Sequence, residues 1–208
     1  MVYRVRDYPD CGPAEETADD DILLYVGRMS QIKGVKTLAE ALPAILRTCS
    51  GIRVQLVGKD LPFGPGGSSM ISYLRQHLRN SRIPETTVEF VGPLEWSALP
   101  AVYRNAAVCV IPSLYESFSY TCLEAMAAGC AVVDSAVGGI PEIVTDQVDG
   151  LLVPPGSPEA LAAAVVRLLS DPPLRRQLGM RARATICDRF SAEVICAETE
   201  RVYRSLLV

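Results

Sequence analysis

Short apolar runs of strand length recur along this chain and alternate with segments of helical pattern. The runs are continuous rather than alternating in polarity, as expected for strands that are buried on both faces. Regular alternation of strand and helix predicts an α/β fold with one doubly wound parallel sheet, Rossmann-like, of about six strands. The predicted strands cover residues 22–26, 52–57, 88–91, 108–111, 131–133 and 151–153.

Helical periodicity fills the segments between these runs and the end of the chain. Ser157, Pro158 and Glu159 mark one helix start, with a capping hydroxyl, a proline at the first position and an acid near the positive end of the dipole. Residues 21–208 are therefore predicted to form a single domain with C-terminal helices. The predicted helices lie near 34–48, 69–80, 95–105, 120–128, 140–145, 158–170, 172–187 and 191–206.

Residues 1–20 are predicted to be a linker or a truncated edge, because turn-forming residues are followed there by an acidic stretch. The run Asp19-Asp20-Asp21 superficially matches the DxD motif of metal-dependent transferases. A metal site needs carboxylates on a rigid element that faces phosphates, whereas this run only precedes a strand. We interpret it as a solvated loop, and no metal site is predicted.

The overall composition argues against several kinds of partner. The 208 residues carry a formal net charge of −4, which is not the basic footprint of a nucleic-acid-binding protein. No run approaches the roughly 20 apolar residues of a membrane span, and the N-terminus lacks a signal-peptide core. Seven cysteines without a CxxC pair indicate a reducing compartment, with no disulfide framework and no zinc site. We therefore expect a cytoplasmic protein.

The loop after the first predicted strand carries the first candidate site. Ligands of doubly wound sheets bind at the carboxyl ends of the strands. Gly27 would let the backbone approach a ligand there, and the helix that follows Gly34 would attract anions. Arg28 and Lys33 add a planar fork and a point charge, which suits a diphosphate. The spacing is neither GxGxxG nor the Walker pattern, so two solvated cations on a turn remain the alternative.

A second candidate site follows the fourth predicted strand. Glu116 and Glu124 are eight residues apart, which is about 12 Å along a continuous helix and too far for a glycosidase pair. The separation suits two hydroxyl-binding carboxylates at opposite ends of an elongated ligand, although a solvated glutamate is the alternative for Glu124. The backbone amides between them would open a helix N-terminus for a phosphate or sugar, and they belong to Phe118, Ser119, Tyr120 and Thr121.

Four motifs in order resemble one family. They are Gly27-Arg28-x4-Lys33-Gly34, Glu116-x7-Glu124 followed by Ala-Met-Ala-Ala-Gly, Gly-Gly-Ile-Pro-Glu at 138–142, and Asp-Gly-Leu-Leu-Val-Pro-Pro-Gly at 149–156. Each motif alone has little specificity, but four in register are specific. Over residues 22–206 the chain resembles the C-terminal, donor-binding domain of family 4 retaining glycosyltransferases, which have the two-domain GT-B fold.

The resemblance implies a role for each matching position. Arg28 and Lys33 would bind the donor diphosphate and stabilise the leaving nucleoside diphosphate, and with Glu116 they form the candidate catalytic set. Glu116 and the amides of residues 118–121 would hold the donor sugar, and Glu124 the ribose. Gly27 would lie against the donor, and the turn with Gly92 and Leu94 would contact the base. The nucleotide sugar is then the substrate, and no metal or other cofactor is expected.

Two departures from the family pattern affect the function. Ser119 stands where the family commonly has glycine, which questions the backbone geometry next to the sugar. The N-terminal Rossmann domain, which supplies the acceptor site in relatives, is not recognisable. We therefore expect donor binding with little transfer, and an open sheet edge that exposes Arg28, Lys33, Glu116 and Glu124 to solvent.

Two other interpretations remain open at this point. The same motifs would serve a non-enzymatic nucleotide-sugar-binding or interaction module that pairs with a separate acceptor subunit. Another GT-B enzyme, such as a nucleotide-sugar epimerase, is disfavoured by the arrangement of Glu116 and Glu124.

Overall fold

The computed structural model describes residues 21–62, 64 and 67–206. Six parallel strands form one sheet in the order β3-β2-β1-β4-β5-β6, which confirms the predicted doubly wound, Rossmann-like fold. The predicted edge at 1–20 and most of the aspartate run lie outside the described residues. The strands are β1 (Ile22–Val26), β2 (Arg53–Val57), β3 (Val88–Gly92), β4 (Val108–Ile111), β5 (Ala131–Ser135) and β6 (Leu151–Val153).

Eight α-helices connect and follow these strands within the described residues. They are α1 (Val35–Thr48), α2 (Met70–Asn80), α3 (Leu99–Asn105), α4 (Tyr120–Ala127), α5 (Ile140–Ile143), α6 (Pro158–Ser170), α7 (Pro172–Thr185) and α8 (Ala192–Ser205). The segment predicted as one helix near 95–105 is a 3₁₀ turn at Trp96–Ala98 followed by α3. None of the helices in the described part is long and apolar enough to cross a membrane.

Helices cover both faces of the sheet, which explains why its strands are continuously apolar. On one face Leu23, Val54 and Val133 pack in a core with α1, α2 and α6. On the other face Leu24 and Val132 pack in a second core with α3, α4 and α5. Full burial of each such side chain contributes about 1.5–3 kcal/mol relative to exposure. Both faces of the sheet are therefore occupied by core, and the edge at the carboxyl ends of its strands is left for ligands.

Candidate functional site

The loops after β1, β4 and β5 meet at the carboxyl edge of the sheet. The amide of Leu114 donates a 2.9 Å hydrogen bond to the carbonyl of Ile32, which ties the loop after β4 to the loop after β1. Gly34 has a φ of +70°, and a Cβ there would lie 1.6 Å from the carbonyl oxygen of Pro112. Only glycine fits this position, because both the backbone conformation and the space exclude a side chain.

The same kind of close approach joins the loop after β5 to the loop after β4. Gly138 has a φ of +56°, and a Cβ there would lie 1.6 Å from the carbonyl oxygen of Glu116. The glycine pair of the 138–142 motif thus packs against the backbone that carries Glu116 and Ser117. The glycines of this motif are therefore required for steric reasons, which could not be inferred from the sequence alone.

Lys33 and Glu116 form an ion pair across this junction. The Nζ atom of Lys33 lies 2.5 Å from Oε2 of Glu116, although the two residues are 83 positions apart. The side chain of Lys33 is 26% exposed and that of Glu116 is 8% exposed. The expectation that both groups are open to solvent is wrong for Glu116, because the pair and the packing of the 138–139 segment cover it.

Arg28 is the cation of the site that remains exposed. Its guanidinium makes no ion pair with any of the described residues. The hydroxyl of Tyr25 donates a 2.9 Å hydrogen bond to the backbone carbonyl of Arg28 and fixes that turn. Burial raises the pKa of Tyr25 well above its usual value, more than the charge of Arg28 lowers it, so the hydroxyl stays a donor.

Glu124 is also buried, which corrects the expectation of an exposed carboxylate. It is 8% exposed, and its Oε2 atom accepts a 2.8 Å hydrogen bond from the hydroxyl of Tyr103 on α3. Tyr103 itself is fully buried. Sequence reasoning did not identify Tyr103 as part of the site, because a buried aromatic residue in a short helix is indistinguishable from core in a sequence. The phenol holds one carboxylate oxygen in place.

Ser119 begins α4 without backbone strain. Its φ of −92° is ordinary for any residue, and its hydroxyl accepts a 3.2 Å hydrogen bond from the amide of Cys122 as the helix N-cap. The serine therefore fits where the family commonly has glycine. Phe118 and Tyr120 flank it, exposed and in edge-to-face contact at 5.7 Å between ring centroids, and Thr121 is half-buried beside them.

The turn after β3 is linked to the Gly27 turn through Gly58. The amide of Gly58 donates a 2.8 Å hydrogen bond to the carbonyl of Gly92, and a Cβ on Gly58 would lie 1.9 Å from the carbonyl oxygen of Gly27. Leu94 is 37% exposed at the same edge. The segments that carry the predicted site residues therefore all follow the carboxyl ends of strands of this sheet.

This edge combines positive charge, backbone hydrogen-bond donors and carboxylate acceptors. Arg28 and Lys33 provide positive charge, the N-terminus of α4 provides backbone donors, and Glu116 and Glu124 provide acceptors. Within the described ranges, no group of three or more His, Cys, Asp or Glu side chains could hold a metal ion. One acidic residue near the edge, Asp134, was not identified from the sequence. It is fully buried at the end of β5.

The fold and this site define a Rossmann-like domain of the GT-B glycosyltransferase class. The chain belongs to the family of glycosyl transferases group 1, whose model matches residues 20–171. It is 35% identical over 195 residues to a glycogen synthase of Mycobacterium tuberculosis, covering 94% of this chain and 43% of the relative. The chain spans less than half the length of the curated relatives it matches.

Two solved structures are similar to this chain over most of its length. Sucrose-phosphate synthase from Thermosynechococcus elongatus is 33% identical with a TM-score of 0.82, covering 100% of this chain and 51% of that one. The C-terminal domain of a group 1 glycosyl transferase from Francisella tularensis has a TM-score of 0.77 at 22% identity, covering 91% of this chain and 98% of that one. This chain accordingly shares the fold of that C-terminal domain.

Proposed function

We propose that this chain is the donor-binding domain of a retaining glycosyltransferase of family 4. The whole enzyme transfers a hexose or pentose from a nucleoside diphosphate sugar to an acceptor held by an N-terminal domain. The observation that carries the proposal is the ion pair of Lys33 and Glu116, which joins the loops after two adjacent strands at the carboxyl edge. A diphosphate and a sugar would meet at that junction.

Each group then has a part in the reaction. Arg28, exposed and without an ion pair among the described residues, and Lys33 receive the diphosphate and stabilise the charge that develops on it as the sugar leaves. Glu116 and the first amides of α4 orient the sugar, and the carboxylate of Glu124, held by Tyr103, accepts hydrogen bonds from the ribose. The cations of the protein supply the charge stabilisation, so the proposed transfer is independent of metal.

The test is a calorimetric screen of the 208-residue chain against UDP, GDP, ADP and their sugar conjugates, with a chelator in excess. We expect binding of one nucleotide series, and Arg28→Met should weaken it roughly tenfold or more, the scale of one charged hydrogen bond. Arg47→Met is the matched control, because Arg47 is an exposed arginine in the last turn of α1, away from the carboxyl edge. Equal losses in the two variants would contradict the proposed site, and abolition of binding by the chelator would contradict metal independence.

A further inference from the structure

Asp134 is a carboxyl group without an evident structural use. It is fully buried, and neither of its oxygens makes a hydrogen bond of adequate geometry with any of the described residues. An ionised carboxylate in such a position is costly, because neither water nor a hydrogen-bond donor solvates it. A buried carboxyl group of this kind avoids that desolvation cost when it remains protonated.

The register of the sheet puts Asp134 beneath the candidate site. Asp134 pairs with Ile111, the last residue of β4. The loops that follow these two strands contact each other again where Gly138 lies against the carbonyl of Glu116. Side chains alternate along a strand, so Asp134 faces the same side as Val132, toward the core that contains Cys122 of α4. The carboxyl group thus lies below the loop that holds Glu116.

The charges of the site act on Asp134. Burial raises the pKa of its carboxyl well above the usual range, and the nearby Cys122 thiol and Ser135 amide lower that pKa by less. Glu116 raises the pKa further and Lys33 lowers it, which couples Asp134 to both members of the ion pair. The titratable groups around it are Cys109 on β4, Cys122 on α4, Glu116, Lys33 and, next to the Cys122 thiol, Asp149.

We propose that Asp134 is a proton-dependent positioning residue of the anion site. In its protonated form it leaves Lys33 balanced by Glu116 alone, so the lysine is available to a diphosphate. In its ionised form it is a second carboxylate near Lys33 and competes with the ligand for that charge. This inference rests on the proposed function only in taking the diphosphate as the partner of Lys33.

The first experiment compares the wild type with Asp134→Asn, which keeps the shape of the side chain and cannot ionise. Binding of UDP, GDP and ADP is measured by calorimetry from about pH 5 to about pH 10, between the ordinary pKa values of aspartate and lysine. The wild type is expected to lose affinity severalfold relative to the variant as Asp134 ionises, because a second negative charge then acts on Lys33. The ligand phosphates titrate in the same way with both proteins. Their effect therefore cancels in the ratio of wild-type to variant affinity at each pH.

A matched control distinguishes this effect from the loss of any buried aspartate. Asp149 is buried too, but its oxygens accept hydrogen bonds from the amide of Thr145 and the hydroxyl of Thr185. Asp149→Asn should keep the pH dependence of the wild type. A ratio of nucleotide affinities between wild type and Asp134→Asn that stays constant at every pH would overturn the proposal. The same loss of pH dependence in Asp149→Asn would also overturn it.

The second experiment does not require a bound nucleotide. The titration of Asp134 is followed by the ¹³C signal of its carboxyl carbon, assigned by its absence from Asp134→Asn. Lys33→Met should raise the pH at which this group titrates, and Glu116→Gln should lower it. If no nucleotide bound the wild type, the proposed function would fail, yet opposite shifts in these two variants would still support the coupling. An unchanged titration in both would overturn the role of Asp134 even if nucleotides bound.

Discussion

Glu124 and Tyr103 form a buried pair that connects a site residue to the core. The Oε2 atom of Glu124 accepts a hydrogen bond from the phenol, and the two oxygens of a carboxylate together have about four acceptor positions. A ribose has two adjacent hydroxyls that such a group could accept from. The pair therefore supports the proposed ribose site and also predicts that Glu124 contributes to the stability of the domain.

Glu124→Ala should weaken binding of the nucleoside diphosphate by roughly 10- to 150-fold, since hydrogen bonds to charged groups contribute about 1.5–3 kcal/mol. It should weaken binding of inorganic pyrophosphate far less, because that ligand has no ribose. Both affinities are measured by calorimetry. Tyr103→Phe keeps the carboxylate and should give a smaller loss. If pyrophosphate and nucleotide lost the same factor, Glu124 would act through folding and not through ribose recognition.

Asp134 gives a prediction about stability as a function of pH. Its pKa is raised in the folded protein, whereas an unfolded aspartate titrates near about pH 3.9. Above that pH the folded state binds more protons than the unfolded state, so the contribution of this group to stability is lost as pH rises toward the folded pKa. Asp134→Asn should therefore be more stable than the wild type at neutral pH.

Urea denaturation at about pH 4, close to the pKa of an unfolded aspartate, and at about pH 7.5 measures the difference. The advantage of Asp134→Asn should shrink toward the lower pH. Asp149→Asn should instead be less stable than the wild type at both values, because the hydrogen bonds to Thr145 and Thr185 are disturbed. A variant Asp134→Asn that is destabilised equally at both pH values would show that Asp134 is held as an anion.

The loop between β1 and α1 is the element that positions Lys33. It contains a 3₁₀ turn at Gln31–Lys33 and ends at Gly34, whose left-handed backbone lies against Pro112 of the neighbouring loop. Gly34 follows Lys33 directly, so a shift of Gly34 would move Lys33 relative to Glu116. The steric constraint on one glycine thus sets the geometry of an ion pair.

Gly34→Ala tests this constraint against a matched glycine. Gly129 has a similar φ of +75°, but a Cβ there would have only one neighbour, 3.9 Å away. Gly129→Ala should cost about 1–2 kcal/mol for the left-handed backbone alone. Gly34→Ala should cost clearly more, because its methyl group meets the Pro112 carbonyl, and it should also weaken nucleotide binding. Denaturant midpoints measure the loss of stability, and calorimetry measures nucleotide binding. Equal midpoints for Gly34→Ala and Gly129→Ala would contradict the steric argument.

At the scale of the whole molecule, the proposed enzyme needs more than this chain. A wall opposite the carboxyl edge would orient the acceptor, and proximity and orientation together account for about 7–11 kcal/mol of a reaction barrier. The proposed nucleotide contacts come from the loops described above and do not depend on that wall. Binding and catalysis should therefore separate.

The 208-residue chain should bind its donor and transfer negligibly to sugars, lipids or polyprenyl phosphates. Product formation from radiolabelled donor measures this, and the N-terminal domain of a related enzyme, fused ahead of residue 1 or added in trans, should restore transfer. The anomeric configuration of that product, read by NMR, tests retention. Turnover by the chain alone near about 1 s⁻¹, the low end of ordinary enzyme rates, would contradict the prediction.

The positions of the strands along the chain and their buried, parallel type were determined by local sequence. Continuous apolar runs can be buried only between two layers, so all six strands were predicted within about two residues at each end. The helix near 95–105 was less well predicted, because Trp96–Ala98 has helical composition but closes as a 3₁₀ turn. The motifs of the candidate site were also visible in the sequence, because glycines and charged residues follow the predicted strand ends.

Only the tertiary structure decided how the site residues are paired and how far they are buried. Lys33 meets Glu116 from 83 positions away, and Tyr103 meets Glu124 from another helix. A sequence shows which residues can carry charge, but the cost of burying that charge depends on neighbours that distant strands supply. Asp134 is the clearest case: in the sequence it is one more acid in a strand, and its environment is set by the sheet register and by the loops that close above it.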